Sequence, residues 1–180
     1  YLFRAIMYPY SVSGTPQFTN PCYDSSPRFG EKPRYAFNTN ENTFTVEVSD
    51  PDSQDSIYVT WAESWMDGTT FPGTALGYDT GYAFNQPLPG ANFNSANIPV
   101  TLQRNGLVNF KSLTTGRFTI CKKVQSYRNG QLLAEVYRDF EYQVNVDPGA
   151  PGLCGSQSNS NPNVSFAGQN VPTSVTINGK

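Results

Sequence analysis

The chain has 180 residues, enough for one large domain or for one domain with parts of its neighbours, and long enough to close a core without covalent staples. Twelve Lys+Arg against fourteen Asp+Glu leave a net charge of −2 and no basic stripe, so nucleic acid and anionic membrane surfaces have no electrostatic footprint to meet. No histidine is present, which excludes Ser-His-Asp and Cys-His catalysis, His-ligated zinc, and haem on a proximal His. What remains, 14% charged and 14% aromatic with 15 Gly and 14 Pro, reads as a secreted all-β chain.

Taken in order, residues 1–10 form an extended aromatic-rich run, and residues 11–32 are loop-like, broken by Pro16, Pro21 and Pro27. Residues 44–48 alternate cleanly, placing Phe44, Val46 and Val48 on one face of a strand. After an acidic turn at residues 50–55, residues 57–61 read as a second strand, rich in β-branched and aromatic side chains. Residues 63–97 carry five glycines and three prolines and show no period; a stretch of that length is either functional or partly structured. Strands are predicted at 98–103 and 107–110, joined by the hairpin signal Asn105-Gly106, and at 117–124 and 131–146, joined by Asn129-Gly130. Residues 147–152 have linker composition, and a further strand is expected at 174–177. About seven strands between residues 29 and 146 imply an antiparallel β-sandwich. No run approaches the roughly 18 apolar residues of a membrane span. The opening Tyr1-Leu2-Phe3-Arg4 has no signal-peptide pattern, and the abrupt ends read as a piece of a longer chain.

Three groups of side chains carry candidate chemistry. Asp50 and Asp52, two apart in an extended segment stiffened by Pro51, point the same way. With Asp55 they form a cluster of hard oxygen ligands that suits Ca²⁺, which Glu31 or Asp147 would complete; the plainer reading is a turn whose carboxylates cap backbone N–H groups. Trp61, Trp65, Tyr78 and Tyr82 make the middle of the chain aromatic, either as a surface for stacking on sugar rings or as cover for an open end of the sandwich. Cys22, Cys121 and Cys154 lie far apart without a CxxC pair, so thiolate metal binding is not expected. One disulfide with a leftover thiol and three free thiols both remain open. Glu63 and Asp67 are the carboxylate pair that glycoside hydrolysis would use, but acids at a strand end are ordinarily solvated and no enzymatic activity is expected.

Several segments together carry a family resemblance. Cys22-Tyr23-Asp24-Ser25-Ser26-Pro27-Arg28-Phe29, with Glu31 and Pro33 behind it, resembles the lead-in of domains in large Bacteroidota surface proteins. Val48-Ser49-Asp50-Pro51-Asp52-Ser53-Gln54-Asp55-Ser56-Ile57-Tyr58 resembles an acidic element they share with bacterial cadherin-like domains; Ser53-Gln54 stands where the family shows a single Gly. Gly116-Arg117-Phe118-Thr119-Ile120, with Tyr127-Arg128-Asn129-Gly130 and Arg138-Asp139-Phe140, resembles their closing hairpin. Over residues 1–154 the chain thus looks like the gliding-motility adhesins and related proteins exported by the type IX secretion system.

The resemblance implies an Ig-like or cadherin-like sandwich over residues 22–147. Residues 1–21 would be the end of a preceding module or a lead-in strand, and residues 148–180 a linker and the start of a following module. It implies a structural, adhesive role on the outer surface of a bacterial cell, with neighbouring modules of the same chain, surface glycans or secretion and gliding components as partners, and no membrane insertion. The competing reading is a carbohydrate-binding module.

Overall fold

The computed structural model describes residues 3–17, 24–30, 32, 34–65, 73–148, 164–166 and 169–171. Two compact units divide the chain, Tyr1–Val146 and Asp147–Lys180. The strands of the first are β1 (Phe3–Met7), β2 (Ser11–Val12), β3 (Thr15–Pro16), β4 (Arg28–Phe29), β5 (Arg34–Phe37), β6 (Asn42–Thr45), β7 (Val48–Ser49), β8 (Ser56–Ala62), β9 (Ile98–Leu102), β10 (Leu107–Lys111), β11 (Gly116–Arg128) and β12 (Gln131–Asn145). The second unit holds the antiparallel pair β13 (Val164–Phe166) and β14 (Gln169–Val171). No helix occurs among the described residues. Cys22, Cys154, Glu31, Asp67 and residues 174–177 lie outside them.

Local chemistry explains the hairpins. Asn129 and Gly130 take φ of 51° and 78°, the two left-handed residues of a type I′ turn, whose twist matches the strands it joins. That turn starts the long β11–β12 ladder, which runs from Arg128↔Gln131 to Gly116↔Val144 with one irregularity at Ser126/Tyr127. Gly106 has φ +86° at the β9–β10 turn, and a Cβ there would sit 3.1 Å from the Val46 carbonyl oxygen, so backbone approach as well as φ calls for glycine.

The large sheet has the order β1-β12-β11-β8, and β5 also pairs with β12. Because β11 occupies one edge of β12, β1 (on residues 134–138) and β5 (on residues 142–145) share the other. The second sheet is β6-β10-β9, with β4–β7 and β2–β3 as small separate pairs. Val59, Ile120 and Tyr142 from the large sheet meet Val108 and Phe110 from the second, with Val46 just beyond β6, in one core, so the unit is a β-sandwich. The buried Lys122 lies there too: its Nζ donates to the Tyr142 hydroxyl at 2.6 Å and stands 4.5 Å from the Phe140 ring centroid. The outer face of the large sheet carries a smaller cluster of Ala62, Cys121 and Tyr137 under Ile6 and Trp65.

Several features add to or differ from the sequence reading. Nine strands, β4 to β12, occupy the stretch where about seven were expected, partly because the 44–48 run divides. At Val46 the backbone turns to the Gly106 carbonyl, β6 stays on β10, and β7 crosses to β4. The β5–β12 pair is parallel within an otherwise antiparallel sheet. Residues 3–7 are a paired strand of the large sheet. Residues 63–97 add only the bridges Trp65↔Ala75 and Ala83↔Gln86 among the described residues, yet they insert Leu88, fully buried, into the main core. The side chain of buried Asn97 anchors that stretch, donating to the Gly90 carbonyl at 3.0 Å and accepting from Leu113 N–H at 2.8 Å.

Candidate functional site

The acidic turn folds against the end of β11, where Arg128 enters it. Arg128 Nε donates to Asp55 Oδ1 at 2.6 Å and Nη2 to Asp55 Oδ2 at 2.9 Å, a bidentate pair. The same Nη2 donates to Asp24 Oδ1 at 2.8 Å and stands 3.9 Å from Asp52 Oδ2. Gln54, its amide oxygen turned inward, lies 3.3 Å from both nitrogens. The Asp24 and Asp55 side chains are fully buried and Arg128 is 9% exposed, whereas Asp52 is 27% exposed. The Tyr10 ring covers the guanidinium with its centroid 5.6 Å away, and the Tyr10 hydroxyl accepts from Asn129 Nδ2 at 3.2 Å.

Of the expected ligands, Asp52 and Asp55 converge and Asp50 does not join them. Asp50 Oδ1 accepts from the Asp52 backbone N–H at 2.9 Å, the cap of the plain turn reading. Asp52 Oδ2 accepts from Ser25 N–H at 2.7 Å, tying the lead-in segment to the turn. The third member of the cluster is Asp24; sequence reasoning passed over it because it belongs to a separate segment and shows no spacing to the turn. Asp147 falls in the second unit.

One carboxylate oxygen from each of Asp24, Asp52 and Asp55 lies within 4.8 Å of the others, close enough to share an ion. The arrangement as folded does not suit calcium, which takes 6–8 oxygens at about 2.3–2.6 Å. Nη2 of Arg128 already reaches all three carboxylates, and an ion at that point would leave a buried guanidinium without its partners.

The cluster instead carries surplus negative charge. Burial, then a hydrogen bond to Asp55 and the charge of Asp55, push the Asp24 carboxyl up to about 7, against the opposing charge of Arg128. Asp24 Oδ2 is buried and accepts from no donor; a proton on Asp24 turns the group into a donor toward Asp55. Burial likewise raises Asp50. Hydrogen bonding to Asp55 raises Arg128 still further.

A second buried charge, Glu135, sits on the outer face of β12. Its Oε1 accepts from Lys123 Nζ and Gln125 Nε2, each at 2.7 Å, and its Oε2 from the hydroxyls of Tyr8 at 2.6 Å and Tyr137 at 3.0 Å. Burial alone would raise this carboxyl; the Lys123 ammonium and the tyrosines outweigh it and hold the pKa below its ordinary value. Burial and the Glu135 carboxylate together push Tyr8 up to about 12.

The aromatic candidates are not gathered into one platform. Trp61 packs against the main core. Trp65 lies on Tyr137 across the outer face, with ring centroids 5.0 Å apart. Tyr78 and Tyr82 line one cavity of about 260 Å³, with Asp79, Arg117 and Phe118. Glu63 is exposed. Cys121, a candidate for a disulfide, is a free buried thiol, because its place in β11 points it under Tyr137 and Trp65. No helix among the described residues is long and apolar enough to cross a membrane. The chain matches no family model, no curated protein and no solved structure.

Proposed function

We propose that the unit is a structural, load-bearing module of a large secreted bacterial cell-surface protein, of the gliding-adhesin type that its sequence resembles. One observation carries this reading: β5 runs parallel to the end of β12, pairing Arg34 through Phe37 with Tyr142 through Asn145. The backbone N–H of Asn38 extends the ladder to Asn145 O at 2.8 Å. When the unit is pulled through its two ends, the chain draws Arg34 backward and Asn145 forward, so every rung is loaded at once. The antiparallel β1, entering beside Arg138, opens one rung at a time and shields nothing. Stalk modules need this kind of resistance, since forced unfolding is governed by the unfolding rate and not by equilibrium stability. Ig-like or cadherin-like kinship and residence outside the cell are part of the same proposal.

Force spectroscopy on a tandem array of the unit tests it. The expected result is a single high-force step per unit. Ala36→Pro, in the parallel ladder, lowers the step sharply, and Ala5→Pro in β1 leaves it in place. A parent unit that opens at the force of the Ala36→Pro variant removes the load-bearing reading.

Glycan binding is a second reading, supported by the Tyr78/Tyr82 cavity. The Tyr82 ring is braced by Phe93 at 4.6 Å and by Phe118 at 6.1 Å, with Asp79 and Arg117 beside it as hydrogen-bonding groups. Its volume is at the small end for ligand pockets, the scale of a single sugar ring. Selective glycan-array binding that disappears in Tyr82→Ala would favour it; an array without signal removes it.

A further inference from the structure

We propose that the Arg128 guanidinium is the resident cation of the aspartate cluster, a side chain doing the work of a divalent ion, so that this unit is held closed independently of calcium. The cluster must join three separate parts of the chain: Asp24 in the lead-in segment, Asp52 and Asp55 in the acidic turn, and the end of β11. Nη2 already stands within ion-pair distance of all three carboxylates that a metal ion would have to gather.

The surroundings select a guanidinium over an ion. Asp55 presents both oxygens to the Nε/Nη2 edge, the planar fork geometry that a spherical ion does not need. An aromatic face, Tyr10, covers the plane; an aromatic ring stabilises a flat, weakly hydrated cation and offers a hard divalent ion no oxygen in that direction. Tyr10 is itself 6% exposed and held by Asn129, the residue after Arg128, so turn, ring and guanidinium are fixed together. The Gln54 amide oxygen supplies a neutral acceptor to the same two nitrogens. Removal of the guanidinium leaves carboxylates from three positions facing a space of cation size, and calcium then has both a place and a charge to neutralise.

Thermal melting in millimolar calcium and in chelator tests the inference on the whole chain. The parent melts at the same temperature in both. Arg128→Gln melts lower in chelator and recovers in calcium by about 1–5 °C, the shift expected of an extracellular-affinity site in millimolar calcium. Arg128→Lys, which keeps a cation but loses the fork, melts below the parent and stays indifferent to calcium. A parent whose melting temperature rises with calcium overturns the proposal, and so does a calcium response in Arg128→Lys or a folded Arg128→Gln that ignores calcium. If Arg128→Gln folds in neither condition, the parent and Arg128→Lys decide the matter alone.

Discussion

Arg128 and Glu135 are both buried charges on one hairpin, the first closing β11 and the second near the start of β12, yet their surroundings are built on opposite plans. Glu135 is a single anion whose two oxygens accept from four donors, so every lone charge and every hydroxyl has a partner in one protonation state. Arg128 is a single cation facing three carboxylates, so its centre keeps surplus negative charge, and burial beside Asp55 raises the Asp24 carboxyl. A saturated centre fixes a structure, and an over-supplied one also makes it respond to conditions.

The largest expected effect comes from removing the cation. Arg128→Gln in chelator should lose about 3–5 kcal/mol in urea unfolding, because it strands buried carboxylates with no partner. A loss below about 1 kcal/mol would mean that the two centres do not differ as their geometry implies. At the other centre, Glu135→Gln keeps one acceptor oxygen but removes the charge from four hydrogen bonds. Its expected cost is about 2 kcal/mol, moderated because Lys123 is 25% exposed and can turn to water.

The pH response separates the two centres by sign. The folded pKa of Asp24 lies above its ordinary 3.8, so its contribution is fully present below that value and is lost as pH rises through about 7. Glu135, held below 4.5, contributes above that value and loses its contribution as pH falls through the lower folded pKa. The melting temperature should therefore fall as pH rises from about 4 to about 7 and level off above that, and it should fall again as pH drops below 4.5. Asp24→Asn should flatten the limb between about pH 4 and 7 alone; a limb that survives in Asp24→Asn assigns that titration to another group. The smallest change is expected at the turn between the centres, where Asn129→Ala places a Cβ-bearing residue without a local hydrogen-bonding side chain at φ 51°. A cost of about 1 kcal/mol is expected from equilibrium unfolding, and a neutral result would show that the turn does not brace Tyr10 and Arg128.

The strands were legible where side-chain period and turn chemistry act locally. The hydrophobic face of Phe44, Val46 and Val48 points inward as its alternation requires, and both Asn-Gly pairs make hairpin turns. The division of residues 44–48 between two partners was not legible, because it depends on where Gly106 arrives from another hairpin. The same holds for the candidate site. Asp52 and Asp55 announced an acidic cluster, but the calcium expectation placed Asp50 in it and had no place for Asp24 or Arg128.

By itself, then, the sequence determined an all-β chain with its hairpins and an acidic turn, since these follow from neighbours within a few residues and from the preference of Asn and Gly for left-handed backbone. Only the tertiary structure decided what that turn would hold. Arg128 lies 73 residues from Asp55 and 104 from Asp24, and whether it meets them depends on ladder register and sheet order. Charges attract across space without regard to chain order, so no periodicity encodes the meeting, and the side chain at the end of β11 settles whether the acids face a guanidinium or an empty space.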